Sequence, residues 1–557
     1  MSKKDYSTWT KEQFVDEVAR LRKRKKYGLV WEDKPEDVVE QCKTELPVLK
    51  EVKSKAIAKD KNGLVNILIE GDNYHALSVL NYTHKGKIDV IYIDPPYNTG
   101  ARDWKYNNNF VDINDGYRHS KWLSMMKNRL GLAKNLLKRN GVLIITIDDN
   151  EFCTLGLLLD EIFPSKERAI VVIKYNPAGT ARSGFSRMHE YAIFLLNRGQ
   201  EIEKKPAPLD IRDQNLRRHG SGANRKDNPT MFYPIWVDKK TLKIIGVGEV
   251  PPARFHPKSQ TVECKNYYEV WPLDDNEKEK RWYYGKERVK TNGTNELTAK
   301  WVRERLHIYF HTDNASEQKY PSVWIGSEYD AGAHGGSLVR DIVGKEFPFP
   351  KSLYAVKDCL KAIIKSNKKA IVLDFFAGSG TTGHATVLLN KEDGGNRRFI
   401  LCTNNENNIA TDVCYPRIKA AIDGHKDYRD ITGIPSNLKY FRTAFVGAEP
   451  NDKNKEALTK QATEMLCMRE DTFEPVKDTE TVKIFKNSNQ HTGIVFDEDA
   501  IPSLKKEIAK IGGAWSVYIF SLGDDTFEDE FEDMKEKITV APIPEAILRV
   551  YRRLFKP

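Results

Sequence analysis

Near-continuous apolar runs alternate with helical patterns in two separated parts of the chain. The first part holds the runs "VNILIEGDN", "KIDVIYID" and "GVLIITID", at residues 65–73, 87–94 and 141–148. An amphipathic helix is predicted over "SKWLSMMKNRLGLAKNLLKRN", residues 120–140, and Gly141 is predicted to end it. Strands that are apolar on both faces and alternate with helices predict a parallel sheet covered on both sides.

The same alternation returns near the middle of the second half of the chain. It resumes at residues 368–406, in "KKAIVLDFFAGSGTTGHATVLLN" and "RRFILCTNNE", after an irregular, polar stretch from about Glu201 to Arg340 that is rich in Arg, Trp and Tyr. One α/β domain interrupted by a large insert is therefore predicted. The predicted boundaries are an N-terminal helical segment at 1–60, a first α/β half at 61–200, the insert at 201–345, a second α/β half at 346–440 and a C-terminal α/β domain at 441–557.

Composition limits the class of protein. The 557 residues are 40% hydrophobic and 30% charged, which is typical of a folded globular chain. No apolar run approaches the ~18 to 20 residues of a membrane span, and the N-terminus lacks the apolar core of a signal peptide, so we expect a cytoplasmic protein without membrane contact. The seven cysteines include no Cys-x-x-Cys pair, which argues against a zinc site, and no metal is predicted. The net charge of +10 is compatible with a polyanionic partner.

The glycine-rich segment "VLDFFAGSGTTG" predicts a nucleotide-like ligand. Gly378, Gly380 and Gly383 follow a buried strand and precede a helix, an arrangement that lets the backbone approach a ligand at the carboxyl edge of a parallel sheet. A triphosphate is disfavoured, because a P-loop has Lys after its last glycine and this chain has His384. The loop alone leaves a dinucleotide and S-adenosylmethionine both open.

The tetrapeptide Asp-Pro-Pro-Tyr follows the strand of "KIDVIYID" and narrows the choice. Together with "DFFAGSGTT" it resembles the catalytic and cofactor motifs of amino-group DNA methyltransferases. An exocyclic adenine amine is a weak nucleophile because its lone pair is delocalised, and the Asp94 carboxylate and the Pro95 carbonyl can accept its hydrogens. Pro95 and Pro96 fix the backbone, and Tyr97 offers a ring for an extruded base, so the segment is interpreted as a socket for a flipped adenine.

The order of the motifs resembles the β-class, circularly permuted arrangement of these enzymes, with a doubly wound Rossmann-like methyltransferase sheet interrupted by a target-recognition domain. The resemblance implies that Asp72 contacts the adenine of S-adenosylmethionine, that Glu406 binds its ribose, and that Lys351, in "FPFPKSLYAVKDCL", belongs to the segment closing over its methionine part. It further implies that the pocket is lined by Asp374, Phe376, Ala377, Gly378, Gly380 and Thr381.

Four longer segments, "YIDPPYNTG", "IDDNEF", "DFFAGSGTTGHA" and "NKEDGGNRRFILCTNNE", resemble the modification subunit of Type III restriction–modification systems over roughly residues 10–440. Asn404 and Asn405 depart from the family, which usually has apolar residues or Pro before the acid. The resemblance implies N6-adenine methylation of a specific site in double-stranded DNA, a homodimer, and a helicase–nuclease restriction subunit as partner. The alternatives are an N4-cytosine enzyme, a stand-alone adenine methyltransferase and, remotely, a nicotinamide-dependent Rossmann enzyme.

The insert is predicted to read the DNA sequence. Its segment "RDQNLRRHGSGANRK", residues 212–226, is basic and contains Asn, which suits contacts with phosphates and base edges. A second basic loop, residues 178–191, follows the first α/β half, and for both segments a solvated surface loop is the alternative. The residues predicted to contact DNA are Arg182, Arg212, Arg217, Arg218, Arg225 and Lys226.

Overall fold

A computed structural model of the chain describes residues 9–23, 31–60, 64–179, 184–206, 213–311, 317–425, 433–523 and 525–555. The chain forms two compact units, the larger made of Met1–Glu203 and Tyr320–Pro557 and the smaller of Lys204–Lys319. The smaller unit lies within the insert predicted at 201–345. Residues 320–345 belong to the larger unit, because the strand Val323–Trp324 pairs with the strand Lys166–Lys174 of its sheet.

An eleven-stranded sheet forms the centre of the larger unit. Ten strands follow one another across it, and the short strand Ile57–Ala58 pairs with the second of them. From one edge to the other they are Glu45–Glu51, Asn437–Gly447, Val65–Glu70, Arg398–Thr403, Ile371–Asp374, Ile88–Ile93, Leu137–Ile147, His189–Asn197, Lys166–Lys174 and Val323–Trp324.

The parallel sheet predicted from the apolar runs is confirmed. Neighbouring strands from Asn437–Gly447 through to Leu137–Ile147 all pair in parallel. At the centre, the strand Ile88–Ile93, here called the catalytic strand, pairs with Ile371–Asp374, here called the glycine-loop strand. The two halves of the sequence therefore join at the middle of one sheet.

One predicted helix end is wrong. The helix predicted over residues 120–140 is Arg118–Leu136, and the strand predicted from residue 141 already begins at Leu137. Leu137 pairs with Ile88 of the catalytic strand, and the register shifts before Val90 pairs with Val142. The polar residues between Leu137 and Gly141 continue the helical periodicity, so sequence alone does not reveal that they already pair as a strand.

Both predicted outer boundaries of the α/β fold cut into the sheet. The strand Glu45–Glu51 lies in the N-terminal segment assigned to residues 1–60, and Asn437–Gly447 crosses the boundary at residue 440. The two strands pair antiparallel along their whole length, from Glu45 opposite Gly447 to Glu51 opposite Phe441. Glu45–Glu51 thereby covers the edge of the parallel part of the sheet.

Helices lie between and beside these strands. The first, Lys11–Lys23, opens with a capping box, because Thr10 N–H donates to Gln13 Oε1 at 2.8 Å and Gln13 N–H donates to Thr10 Oγ1 at 3.3 Å. Among the described residues, no helix combines the length and the apolar character needed to cross a membrane. The other α-helices described in the larger unit are Asp37–Gln41, Asn73–Thr83, Arg118–Leu136, Phe152–Ile162, Leu338–Val343, Leu353–Ile364, Thr381–Asp393, Tyr415–Asp423, Asp452–Lys460, Thr463–Glu470, Ile501–Ile511 and Glu545–Phe555.

The C-terminal part of the larger unit has a sheet of its own. Its five strands, in spatial order, are Glu474–Asp478, Val482–Lys486, Gln490–Val495, Ala514–Phe520 and Ile538–Ile543. The last helix, Glu545–Phe555, returns to the central sheet, where the buried Tyr551 hydroxyl donates to the carbonyl of Pro47 at 2.5 Å. A hairpin, Ala101–Tyr106 with Asn109–Asp112, follows the catalytic strand.

The smaller unit consists of short strands around an aromatic and aliphatic core that includes Tyr233, Trp282 and Phe310. Its one α-helix among the described residues is Lys286–Glu296. The strands are Lys204–Pro206, Asp213–Asn215, Ile235–Asp238, Ile244–Val247, Thr261–Glu263, Tyr267–Val270, Leu297–Val302, Arg305–His311 and Glu317–Lys319.

Candidate active site

The tetrapeptide and the glycine loop lie side by side at the carboxyl edge of the central sheet. Asp94 follows the catalytic strand directly, and Phe375 follows the neighbouring glycine-loop strand. From the catalytic strand the chain continues to Leu137–Ile147 on one side, whereas from the glycine-loop strand it continues to Arg398–Thr403 on the other. This reversal of direction is a topological switch point, the place where open α/β sheets bind their ligands.

The Asp94 carboxylate is held from two directions. Its Oδ1 accepts a hydrogen bond from Thr146 Oγ1 at 2.7 Å and lies 3.0 Å from Lys351 Nζ. Thr146 belongs to the neighbouring strand Leu137–Ile147, and Lys351 precedes the helix Leu353–Ile364. The Asp94 side chain is 25% exposed. Since both contacts fall on Oδ1, Oδ2 is the oxygen that can accept a hydrogen bond from a substrate amine.

A buried carboxylate that the sequence analysis did not identify joins this cluster. Glu190, on the strand His189–Asn197, is 1% exposed, and its Oε2 lies 3.1 Å from Lys351 Nζ. The Tyr97 hydroxyl donates to the same oxygen at 2.9 Å, and Lys351 Nζ lies 4.5 Å from the centre of the Tyr97 ring. Glu190 occurs in "RMHEYAIFLLN", where an acid at the start of an apolar strand was the only sequence signal.

Burial and charge act against each other in this cluster. Burial lowers the pKa of Lys351, but the Asp94 and Glu190 carboxylates outweigh it and raise the pKa above its ordinary value. Burial raises the pKa of Glu190, and the attraction of Lys351 only partly offsets this. Burial, and then the charges of Asp94 and Glu190, also raise the pKa of Tyr97, which keeps its hydroxyl a neutral hydrogen-bond donor.

The backbone around the tetrapeptide is fixed by neighbouring side chains. The buried Trp122 donates its indole N–H to the Pro96 carbonyl at 2.7 Å, which leaves the Pro95 carbonyl as the acceptor that the sequence analysis assigns to the substrate. Asn98 is fully buried in the left-handed region at φ 56°, a conformation that Asn tolerates better than most residues. Its amide donates to Glu151 at 2.5 Å and accepts from the Trp104 indole at 3.1 Å.

The glycine loop turns sharply into the helix Thr381–Asp393. Gly378 and Gly380 have φ of 48° and 79°, and Gly380 is the N-cap of that helix. A Cβ on Gly380 would lie 3.0 Å from Cys414 Sγ, and one on Gly383 would lie 2.6 Å from Ile418 Cδ1. These two glycines are therefore required partly by packing against Cys414 and the helix Tyr415–Asp423 that follows it, and not only by ligand approach.

Asp374 and Thr381 support the loop from inside. The buried Asp374 carboxylate accepts from Phe376 N–H at 2.9 Å and from Thr382 Oγ1 at 2.6 Å, and burial raises its pKa to about 7. The Thr381 hydroxyl accepts from Arg417 Nη1 at 2.8 Å. The Arg417 side chain is completely buried, and this burial lowers its pKa to about 10. The sequence pattern around Arg417 does not indicate this role. Of the other predicted pocket residues, Phe376 is half-buried and Ala377 is buried.

Asp72 and Glu406 lie at the carboxyl ends of the next two strands. Asp72 caps the helix Asn73–Thr83 by accepting from Tyr74 N–H at 2.7 Å, lies 3.3 Å from Arg129, and remains 34% exposed. The neighbouring Asn73 amide donates to the Phe375 carbonyl at 2.9 Å, which joins this helix to the glycine loop. Glu406 is exposed, and its Oε1 lies 3.4 Å from Lys105 Nζ.

The residues predicted to contact DNA fall into three groups. Arg182 and Arg212 lie outside the described residues. Arg217 and Arg225 are buried, and their guanidinium groups donate to backbone carbonyls, of Leu273 for Arg217 and of Phe255 for Arg225. These internal contacts do not favour a role in binding DNA. Arg218 is half-buried, with its guanidinium carbon 5.5 Å from the centre of the Tyr283 ring, and Lys226 is exposed.

The chain is similar in sequence to known DNA-modifying enzymes. The chain is 30% identical over 407 residues to the Type III restriction-modification enzyme EcoPI Mod subunit of Escherichia phage P1, covering 64% of this chain and 60% of that protein. It is 29% identical over 390 residues to the Type II methyltransferase M.KpnI of Klebsiella pneumoniae, covering 67% of this chain and 87% of that protein. It thus spans less than two thirds of the EcoPI Mod subunit.

Among solved structures, the M1.HpyAVI–SAM complex is 13% identical and covers 64% of this chain and 97% of its own, with a TM-score of 0.29. The family model N6_N4_Mtase, described as DNA methylase, matches residues 88–460. This match covers more than half of the chain and includes both the tetrapeptide and the glycine loop. The chain therefore belongs to the N6/N4 DNA methylase family.

Proposed function

We propose that the chain transfers a methyl group from S-adenosylmethionine to N6 of an adenine flipped out of a specific site in double-stranded DNA. The observation that carries the proposal is the position of Asp94, whose Oδ1 contacts Thr146 and Lys351, beside the glycine loop at the switch point of a DNA methylase sheet. Methyl transfer needs a hydrogen-bond acceptor for the hydrogens of the amine and, within reach of the amine, a pocket for the methyl donor. This edge of the sheet offers both.

The residues around the glycine loop fit S-adenosylmethionine. Gly378 and Gly380 bring a backbone without side chains to the mouth of the glycine-loop strand, and the adjacent strand ends carry the partly exposed carboxylates of Asp72 and Glu406. Asp72 would contact the adenine, Glu406 the ribose hydroxyls, and the loop the remainder of the cofactor. When bound, the cofactor supplies a methyl group activated on a sulfonium.

The chain's own residues prepare the amine. Asp94 Oδ2 and the Pro95 carbonyl accept hydrogen bonds from the two N6 hydrogens, which draws the lone pair out of conjugation with the ring and directs it at the methyl group. The Asp94 carboxylate is also the group that can take the proton that N6 loses on methylation. Tyr97 stacks on the extruded base, an interaction worth ~1 to 3 kcal/mol against a flipping cost of a few kcal/mol. Its ring is already fixed through the hydroxyl contact to Glu190, so little freedom is lost when the base binds.

Adenine is proposed over the N4-amine of cytosine because the tetrapeptide begins with Asp, whereas N4-cytosine enzymes usually begin theirs with Ser. The test is to incubate purified chain with unmethylated genomic DNA and S-adenosylmethionine, digest the DNA to nucleosides and identify the product by mass spectrometry. N6-methyladenine is expected. N4-methylcytosine alone would contradict the proposal, and sequencing of the same DNA with detection of modified bases would give the recognition site.

Similarity to the EcoPI Mod subunit supports a Type III modification subunit, which would form a homodimer and join a helicase–nuclease restriction subunit. The similarity to M.KpnI keeps a stand-alone methyltransferase open. Light scattering of the purified chain would give its mass as monomer or dimer, and co-expression with a neighbouring restriction subunit would test the larger assembly.

The smaller unit, Lys204–Lys319, is proposed to read the sequence, with Arg218 and Lys226 as its DNA contacts. Arg218→Ala and Lys226→Ala are expected to weaken specific DNA binding and to leave S-adenosylmethionine affinity unchanged. A lost base contact costs ~1 to 3 kcal/mol for the cognate site only, whereas a lost phosphate contact weakens all sequences alike and lowers the salt slope by ~1. Fluorescence anisotropy with cognate and unrelated duplexes at several salt concentrations separates the two.

The matched control is Lys265→Ala, which removes another exposed cation of the same unit from outside the basic segment. Arg217→Ala provides the contrast, because loss of its buried contact with the Leu273 carbonyl should lower the melting temperature of the protein. If Arg218→Ala and Lys226→Ala bind cognate DNA as tightly as Lys265→Ala at every salt concentration, these two residues do not contact the DNA.

A further inference from the structure

A carboxylate, an ammonium group and a phenol converge behind the Asp94 carboxylate. Lys351 Nζ lies 3.0 Å from Asp94 Oδ1 and 3.1 Å from Glu190 Oε2, so one ammonium group bridges two acids. The Tyr97 hydroxyl donates to the same Glu190 oxygen at 2.9 Å. The side chains at both ends of the tetrapeptide are thus connected through Glu190 and Lys351.

Each member of this cluster comes from a different element. Glu190 lies on the strand His189–Asn197, which pairs with the strand carrying Thr146, and Lys351 precedes the helix Leu353–Ile364. Glu190 is 1% exposed and the Lys351 side chain is 11% exposed. A carboxylate this deeply buried is stable only with a paired cation, so the positions of Glu190 and Lys351 depend on each other.

The charges of the cluster also suit the reaction. With both carboxylates ionised, the two acids and the one ammonium group carry a net charge of −1 next to the substrate amine. Methyl transfer brings a sulfonium charge to this place and develops positive charge on the attacked nitrogen. A fixed negative charge in a site with little water stabilises both, and it needs no rearrangement during the reaction.

We propose that Glu190 and Lys351 are positioning residues for the target base: Lys351 fixes the Asp94 carboxylate so that Oδ2 faces the amine, and Glu190 fixes the Tyr97 ring on which the base stacks. The inference rests on the proposed methyl transfer to adenine. It also moves Lys351 from the cofactor side, which the family resemblance implies, to the base side of the site. The two assignments predict different losses when Lys351 is replaced.

The decisive variant is the double replacement Glu190→Gln with Lys351→Met, because it removes both charges and leaves no single buried charge without a partner. Its single-turnover methylation rate at saturating S-adenosylmethionine is expected to fall by up to ~10²-fold, the loss typical of reacting groups displaced by about 1 Å. Its affinity for S-adenosylmethionine, measured by titration calorimetry, is expected to stay within about twofold of wild type.

Two further measurements separate positioning from general loss of structure. Duplex DNA with 2-aminopurine at the target position should fluoresce less brightly with wild type than with the double variant, because a base stacked on a fixed Tyr97 ring is quenched. The fluorescence signal should also change more slowly with wild type than with the double variant. Lys351→Arg should methylate faster than the double variant, since a guanidinium group can still donate to both carboxylates. Tyr97→Phe, which keeps the ring and removes the contact with Glu190, should lower the rate in the same direction.

The matched control is Lys361→Met, which breaks a Lys–Glu pair of similar geometry, 2.9 Å from Lys361 Nζ to Glu392 Oε2, away from the tetrapeptide. The inference is overturned if the double variant and Tyr97→Phe methylate as fast as this control. It is also overturned if the double variant loses S-adenosylmethionine affinity but keeps its rate at saturation, which would make Lys351 a cofactor residue. Failure of the proposed function is a separate result, because wild type would then form no N6-methyladenine.

Discussion

Replacing Asp94 by alanine is expected to lower the rate of methyl transfer by ~10²- to 10⁴-fold, the range found when a positioned proton acceptor is removed. The variant loses the carboxylate that accepts the N6 hydrogen, while the Pro95 carbonyl and the Tyr97 ring remain. Binding of duplex DNA and of S-adenosylmethionine should change little, because the hydrogen bond and the ion pair that Asp94 loses, with Thr146 and Lys351, lie within the protein. The rate is followed as tritium transferred to DNA in a single turnover.

Asp94→Asn refines this result, since it keeps one acceptor oxygen but loses the charge. Its rate of methyl transfer should lie between those of wild type and Asp94→Ala. Asp160→Ala is the matched control, because Asp160 is also an aspartate paired with a cation, Arg168, with 3.0 Å from Asp160 Oδ1 to Arg168 Nε, but lies on the helix Phe152–Ile162. Full activity of Asp94→Ala would remove Asp94 from the mechanism and with it the interpretation of the tetrapeptide.

Gly380→Val is expected to abolish measurable binding of S-adenosylmethionine. Gly380 has φ 79°, a region that costs an L-residue ~1 to 2 kcal/mol, and its new Cβ would lie 3.0 Å from Cys414 Sγ and 3.4 Å from Ile418. Either Cys414 and Ile418 must move or the loop must shift, and a shifted loop would change the backbone that is proposed to hold the cofactor. Titration calorimetry with S-adenosylmethionine measures the effect, and binding of NADH in its place would favour the nicotinamide alternative.

Gly394→Val provides a close control at the other end of the same helix. Gly394 has φ 65°, and a Cβ there would meet no atom within 4 Å, so the substitution adds backbone strain without the clash. Both variants should lose a similar amount of stability to strain, but only Gly380→Val should lose the cofactor. Equal affinities in the two variants would contradict the assignment of this loop to the donor.

The sequence predicted the frame of the site well. The apolar runs predicted the parallel strands. The two motifs predicted that Asp94 and Gly378 lie at neighbouring strand ends, because the carboxyl ends of adjacent parallel strands meet at one edge. The permuted methyltransferase fold and the DNA methylase family are confirmed. Roles of individual pocket residues, such as Asp72 and Glu406, stay predictions.

What the sequence did not predict depends on contacts between distant segments. Glu190 lies at the start of an apolar strand and Arg417 in an ordinary amphipathic helix, and only the folded chain brings them to Lys351 and Thr381. The basic segment predicts Arg217 as a DNA contact, but composition does not distinguish a solvated cation from one that is buried against backbone carbonyls. The early end of the helix Arg118–Leu136 also depends on a contact between distant segments, since the pairing of Leu137 with Ile88 overrides the local helical periodicity.

The central sheet has a consequence for synthesis of the chain on the ribosome. Val65–Glu70 finds its parallel neighbours only in Arg398–Thr403 and Asn437–Gly447, whereas the internal contacts of the smaller unit lie between Lys204 and Lys319. At ~5 to 20 residues per second, Val65–Glu70 waits roughly 20 to 70 seconds for these partners. During that interval the nascent protein exposes unpaired strand edges, and a chaperone that shields them until the second half emerges should raise the yield of active enzyme.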